Sequence, residues 1–150
     1  DHAKLLKRWA DRVTVLYDSD DAGRKAADRA VDVLSAEGVP AKIALMPAGD
    51  DPDTLLRTRG ATAVREAVDG AISPYEYRLA LLERDHPPAT EEFWAAALDL
   101  LAQAPSEIDL TRHVDRLAPF LPGVRDPRKA ERAIRSEVTK RRRGGRKTEN

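Results

Sequence analysis

Cysteine is missing from this 150-residue chain, so neither a disulfide framework nor a thiolate zinc site forms within it. The three histidines, His2, His86 and His113, are scattered and supply no ligand set or catalytic dyad; they read as structural or surface residues. No apolar run approaches the roughly 20 residues that a membrane span needs. The start, Asp1-His-Ala-Lys-Leu-Leu-Lys-Arg8, is too polar for a signal peptide. Charge of one sign is not in excess either, because 26 basic residues balance 26 acidic ones. That balance hides a local unevenness. Acids gather at 18–21 and 50–53, while 140–147 carry six Lys or Arg and no acid. A zero net charge therefore says little about a nucleic-acid partner, and the local fields say more. The chain opens without Met and inside a helical pattern, which suggests a piece of a longer soluble, cytoplasmic protein.

What is present is ordered around Val13-Thr-Val-Leu-Tyr-Asp-Ser-Asp20. The apolar, β-branched and aromatic run reads as a buried strand over 12–17, preceded by a short amphipathic helix at 2–10 with Leu5, Leu6 and Trp9 on one face. Ala22, Ala26, Ala30, Val33 and Leu34 recur at helical spacing and predict a helix over 22–36, closed by Gly38 and Pro40. Lys42 to Met46 reads as a second strand. Strand, helix and strand make a parallel βαβ unit. The loop Pro47-Ala-Gly-Asp-Asp-Pro-Asp53 follows, then a short helix over 54–59 ended by Gly60, and another near 61–69.

From about residue 71 the pattern is helical. Ser73-Pro74 opens a helix that His86-Pro-Pro88 breaks. Thr90 heads a second, with Phe93, Trp94, Ala97, Leu98 and Leu101 as its buried stripe. Leu110, Val114, Leu117 and Leu121 mark a third, ended by Pro122-Gly123. Pro127 opens the last, with Ala130, Ile134 and Val138 on one face. The expected fold class is α/β with a parallel sheet, followed by an all-α region. The expected divisions are 1–70, 71–140, and a basic disordered tail or linker at 141–150. Trp9, Phe93 and Trp94 read as core residues in preference to platforms for stacked bases.

Both strands thus end in acidic loops, on one edge of the sheet if they are parallel, and strand carboxyl ends are where ligands bind in open α/β sheets. Asp20 or Asp21 could cap the 22–36 helix, Asp53 could head the 54–59 helix, and Asp50 could be an ordinary turn residue. A cap needs one acid per helix, however, and each loop supplies a D-x-D. Such a cluster is costly unless a cation lies among the carboxylates. Hard oxygen donors suit Mg²⁺ or Mn²⁺, and carboxylate-held metals can position phosphates for in-line transfer.

Tyr17-Asp-Ser-Asp-Asp-Ala-Gly-Arg-Lys-Ala-Ala27 resembles the Y-D-x-D-x-A-G-x-x-A-A segment of the Toprim domain in bacterial DnaG-type primases. Gly49-Asp-Asp-Pro-Asp53 is similar to the same family's G-x-D-P-D segment, and the region of Leu110 to Pro127 resembles, more loosely, its following helical subdomain. The resemblance covers about residues 1–140. It implies part of the RNA polymerase core of a DNA primase, a nucleotidyltransferase making RNA primers on single-stranded DNA from ribonucleoside triphosphates. Asp18, Asp20, Asp51 and Asp53 would be the catalytic, metal-holding residues for Mg²⁺ or Mn²⁺. Arg24 would be a phosphate contact, and Gly23 would stand where a side chain crowds the loop. It further implies a replicative helicase as partner through the parent protein, zinc only in an amino-terminal part outside this chain, and a cytoplasmic, nucleoid-associated location. The family's Glu, in an E-G context at the end of an earlier strand, has no counterpart here, since Glu37-Gly38 follows a helix. The chain by itself is therefore expected to be inactive or nearly so. Two other classes compete: a non-catalytic replication interaction module whose acids merely cap helices, and a phosphoryl-transfer enzyme of another D-x-D type, such as an aspartyl phosphatase.

Overall fold

The computed structural model describes residues 2–145. The chain divides into two compact units, one ending at Tyr77 and the other beginning at Arg78.

In the first unit, helix α1 (His2–Trp9) precedes strand β1 (Val13–Leu16). Helix α2 (Asp21–Ala36), strand β2 (Ala41–Ala44) and helix α3 (Pro52–Asp69) follow. The two strands are parallel, with Val13 opposite Ala41 and Leu16 opposite Ala44. Strand β2 also exchanges backbone hydrogen bonds at 2.9 Å with Ile72, through an antiparallel bridge at Ile43. This short bridge lies just beyond the point where the sequence shows no further strand signal. Val15, Ile43, Ala27, Val31, Leu34 and Leu55 form the buried interior. Helix α3 holds a break at Gly60, whose φ of 82° and ψ of 176° are open to glycine and costly for other residues. That break separates the two helical stretches expected on either side of residue 60.

Two expectations need correction here. Helix α2 buries Gly23, Ala27, Val31 and Leu34, one position away from most of the predicted stripe. The close approach of Gly23 to the end of β1 fixes the rotation of the helix. Ala26, Ala30 and Val33 instead line an open groove beside β1, together with Leu6, Val13 and Tyr17. Helix α1 buries only Ala3. Trp9 is 84 % exposed and Leu5 53 %, so Trp9 is not a core residue. Among the described residues β1 has β2 as its one ladder partner, and nothing covers that face of α1.

Helix α4 (Pro74–Asp85) carries the chain across the division. Its start is a capping box: the Ser73 hydroxyl accepts from the Glu76 amide at 3.2 Å, and the Glu76 carboxylate accepts from the Ser73 amide at 3.4 Å. In the second unit come α5 (Glu91–Ala102), α6 (Glu107–Leu117), a 3-10 turn (Ala118–Phe120) and α7 (Pro127–Gly145). Thr90 and Ser106 cap α5 and α6 through their hydroxyls. Phe93, Leu101, Val114, Leu117, Ile134 and Val138 form one core, each 1 % exposed or less. Phe93 meets Trp94 edge to face, centroids 5.4 Å apart, and the Trp94 indole donates to the Pro88 carbonyl at 2.8 Å. The helix predicted to run to Leu121 stops at Leu117, although Leu121 still packs against the core, partly buried. Pro119 lacks the N–H that an α-helix would need there, and the chain tightens into the 3-10 turn.

The basic run from Lys140 also departs from expectation, because α7 continues through Gly145 where a disordered tail was expected. Acidic partners hold it. Lys140 pairs with Glu137 at 2.6 Å, Arg141 with Asp99 at 2.7 Å and Glu137 at 2.9 Å, and Arg142 with Glu107 and with the Ala102 carbonyl. These cations lie alongside and at the end of the helix dipole that favours them. Residues 146–150, the rest of that stretch, lie outside the described residues.

Candidate active site

The parallel register brings the carboxyl ends of β1 and β2 to one edge, Leu16 beside Ala44. The chain leaves that edge twice in the same way, through an acidic loop that starts a helix. After β1, Asp20 is the N-cap of α2, and its carboxylate accepts from the Gly23 amide at 2.6 Å. After β2, Asp51 is the N-cap of α3, accepting from the Thr54 amide at 2.7 Å, with Pro52 in the first turn. The capping reading thus holds for Asp20 and is met by Asp51, two residues earlier than Asp53. Pro52 accounts for the shift, since proline's fixed φ suits the first helical position.

Helix starts carry partial positive charge, which offsets part of the repulsion among these acids. The Thr54 amide, chiefly, holds the Asp51 carboxyl below its ordinary value. Asp53, in the first turn of α3, is exposed and pairs with Arg57 at 3.1 Å. Asp50 is half-buried and faces Arg59 at 3.3 Å. Asp18 is exposed at the end of the strand, and the backbone beside it is crowded. A Cβ on Gly23 would lie 2.2 Å from the Asp18 carbonyl oxygen. Glycine is required there so that α2 can begin against the strand end.

The two loops are tied at Ser19. Its amide donates to the Asp50 carbonyl at 3.3 Å, and its hydroxyl accepts from the Gly49 amide at 2.9 Å. Arg24, one turn into α2, donates to the Ser19 carbonyl and pairs with Asp21. Its guanidinium thus closes over the first loop. The sequence reading missed Ser19 and Arg59. Their types carry no signal by themselves, and their partners lie 30 and 9 residues away.

The structure brings the Asp18–Asp20 and Asp51–Asp53 segments to neighbouring loops. Among the described residues, no three His, Cys, Asp or Glu side chains converge as a metal-binding group. The donor chemistry suits a hard divalent cation, since every candidate is a carboxylate, and at Asp20 and Asp51 the carboxylate also serves as a helix cap. No described helix is long and apolar enough to cross a membrane.

Comparison with known proteins shows similarity in sequence and in fold. The family described as Toprim-like matches residues 1–56. A DNA primase of Clostridium acetobutylicum is 43 % identical over 79 residues, which are 53 % of this chain and 13 % of that protein. Two solved structures are similar in fold. A DNA primase domain from Pseudomonas aeruginosa superimposes with a TM-score of 0.55 at 27 % identity, over 95 % of this chain and 44 % of that one. A DnaG primase catalytic domain bound to ssDNA gives 0.54 at 29 % identity, over 86 % of this chain and 43 % of that one. The chain therefore spans less than half of each solved relative and a much smaller share of the full-length one.

Proposed function

Because the chain is a homologue of the DnaG-type primase catalytic core over most of its length, we propose that it forms the metal-holding part of a primase's RNA polymerase centre. In this reading residues 1–70 are a partial Toprim domain and 71–140 the helical subdomain that follows it. The observation that carries it is the pair of acidic loops at adjacent parallel strand ends, joined through Ser19.

Asp18, Asp20, Asp51 and Asp53 are the residues that would hold Mg²⁺ or Mn²⁺. When bound, the ion would neutralise the triphosphate and favour attack by a primer 3′-hydroxyl. The chain's own residues do the rest. Asp20 and Asp51 fix the starts of α2 and α3 and keep their carboxylates at the site. Gly23 allows the strand end to approach the helix. Arg24 holds the Ser19 carbonyl, which favours a role in supporting the loop over a direct phosphate contact. The substrates would be ribonucleoside triphosphates and the template single-stranded DNA, in the cytoplasm at the nucleoid. A replicative helicase would be reached through the parent protein, and zinc would belong to a part of it outside this chain. The 150 residues by themselves are expected to make few or no primers, the Glu implied by the family resemblance being required.

The caps at Asp20 and Asp51 favour a second reading, a non-catalytic interaction module in which the acids serve only the helices. Titration with Mn²⁺ decides between them. On the leading reading, Asp18→Asn and Asp51→Asn each weaken binding, Asn keeping the cap geometry while removing charge. If both variants titrate like the unaltered chain, the metal reading fails and the module stands.

A further inference from the structure

Helix α7 buries Ala130, Ile134 and Val138, so the residues half a turn from them form its outer face. Arg128, Lys129, Arg132, Lys140 and Arg143 stand exposed on that face. The helix's acids, Glu131 and Glu137, fall toward the buried side by the same spacing and are only partly exposed. The outer face is therefore basic along its whole length, about 22 Å from Arg128 to Arg143 at the ordinary helical rise.

The partners of these cations divide the helix. Lys140, like Arg141 and Arg142 beside it, is held by an acid of this unit. Arg128, Lys129, Arg132 and Arg143 have no side-chain partner among the described residues. Asp126, just before the helix, serves the backbone, accepting from the Arg128 amide at 2.9 Å and the Lys129 amide at 3.4 Å. Folding does not account for this arrangement. A helix start favours acids, and α2 to α6 each carry one in the first turn, whereas α7 carries none. A merely solvated helix face mixes signs, as α2 does with Arg24, Lys25, Asp28, Arg29 and Asp32.

We propose that the outer face of α7 binds the phosphate backbone of a nucleic-acid duplex without reading its sequence. A protein partner would need an apolar centre to bury, and the one apolar side chain exposed along α7 is Ala133. Single strands are gripped by stacking bases on aromatic rings, and α7 has no aromatic residue. What remains is charge facing charge. A duplex carries one phosphate per about 1.7 Å of axis, a denser row than a single strand offers. The Ser136 hydroxyl, on the same face, adds a neutral donor of the kind that phosphate oxygens accept. The inference stands on α7 alone and needs no metal at the acidic loops.

The test is equilibrium binding of the full 150-residue chain to a fluorescent DNA duplex over a series of salt concentrations. Arg128→Gln/Arg132→Gln/Arg143→Gln is compared with Lys4→Gln/Lys25→Gln/Arg65→Gln, which removes equal charge from the first unit. All six side chains are exposed, glutamine keeps helix propensity, and circular dichroism verifies both folds. The α7 variant should bind two duplexes of unrelated sequence equally weakly. Its slope of log K against log salt should be shallower by about 2.7, at about 0.9 for each lost phosphate contact. The first-unit variant should keep the slope of the unaltered chain. Arg146 and Lys147, outside the described residues, are kept throughout, so an unchanged slope in the α7 variant places binding elsewhere and overturns the proposal. Equal losses in both variants overturn it too, as does no binding by the unaltered chain at low salt. Competition at equal total charge separates the partners, and the unlabelled duplex should displace the probe best. Equal or better displacement by the single strand overturns the duplex assignment, and by polyglutamate overturns it in favour of an acidic protein.

Discussion

Gly23 sits against the backbone of Asp18 so closely that any side chain on it would place a carbon 2.2 Å from the Asp18 carbonyl oxygen. The obstacle is backbone, not the end of a flexible side chain, so relief requires moving the start of α2 or the end of β1. Gly23→Ala should therefore destabilise the first unit by about 1–3 kcal/mol, the usual range for forced overpacking. The gain in helix propensity from alanine, up to about 1 kcal/mol, is too small to reverse that sign. Urea unfolding followed by circular dichroism would check it, and a stabilised variant would show that the approach is looser than described.

Asp51 gives a pH dependence with a definite sign. Its carboxyl is held below 3.8, chiefly by the Thr54 amide. A depressed folded value means that the stabilisation is present above the ordinary carboxylate range and is lost as pH falls through the folded value. The stability difference between the unaltered chain and Asp51→Asn should be constant near neutrality and change only below about pH 4. Parallel denaturation curves at stepped pH values measure it. A difference that instead changes between pH 6 and 8 would count against this origin.

The helical unit offers a contrast between equal chemistries at unequal depth. Leu117 is fully buried, whereas Ile108 is 81 % exposed. Leu117→Ala should cost about 2–5 kcal/mol, the range for truncating a core leucine. Ile108→Ala should stay within about 0.5 kcal/mol. Chemical denaturation of both variants checks the ordering.

The two tryptophans should separate in fluorescence. Trp9 is 84 % exposed and Trp94 5 %, with the Trp94 indole bonded to Pro88. Trp94→Phe should leave emission that is red-shifted and readily quenched by iodide. Trp9→Phe should leave emission that is blue-shifted and protected. Equal quenching of the two single-tryptophan variants would contradict the exposed placement of α1.

Much of the architecture follows from local chemistry. Ser73 with Pro74, Thr90, and the prolines and glycines between helices announce element boundaries, because capping and φ restriction act over three or four residues. The stripe Phe93, Trp94, Ala97 and Leu101 is buried as its spacing requires. The acidic loops were legible for the same reason, each being a D-x-D after an apolar strand. The rotation of α2 was not legible, because Ala26 and Ala27 are equally acceptable to the helix and the choice depends on Gly23 meeting Asp18. Trp9 misled because apolarity alone does not say whether a covering surface exists. The basic run at 140–145 reads as solvated until Asp99 and Glu107, far back in the chain, are seen to pair with it.

The sequence by itself determined the order of elements and the position of each acidic loop at a strand end. These are properties of neighbours along the chain. Only the tertiary structure decided which face of α2 is buried, that Asp51 rather than Asp53 caps α3, and that Ser19 joins the two loops. Ser19 and Gly49 stand 30 residues apart, and the bond between them exists because parallel pairing of β1 with β2 carries both strand ends to the same edge.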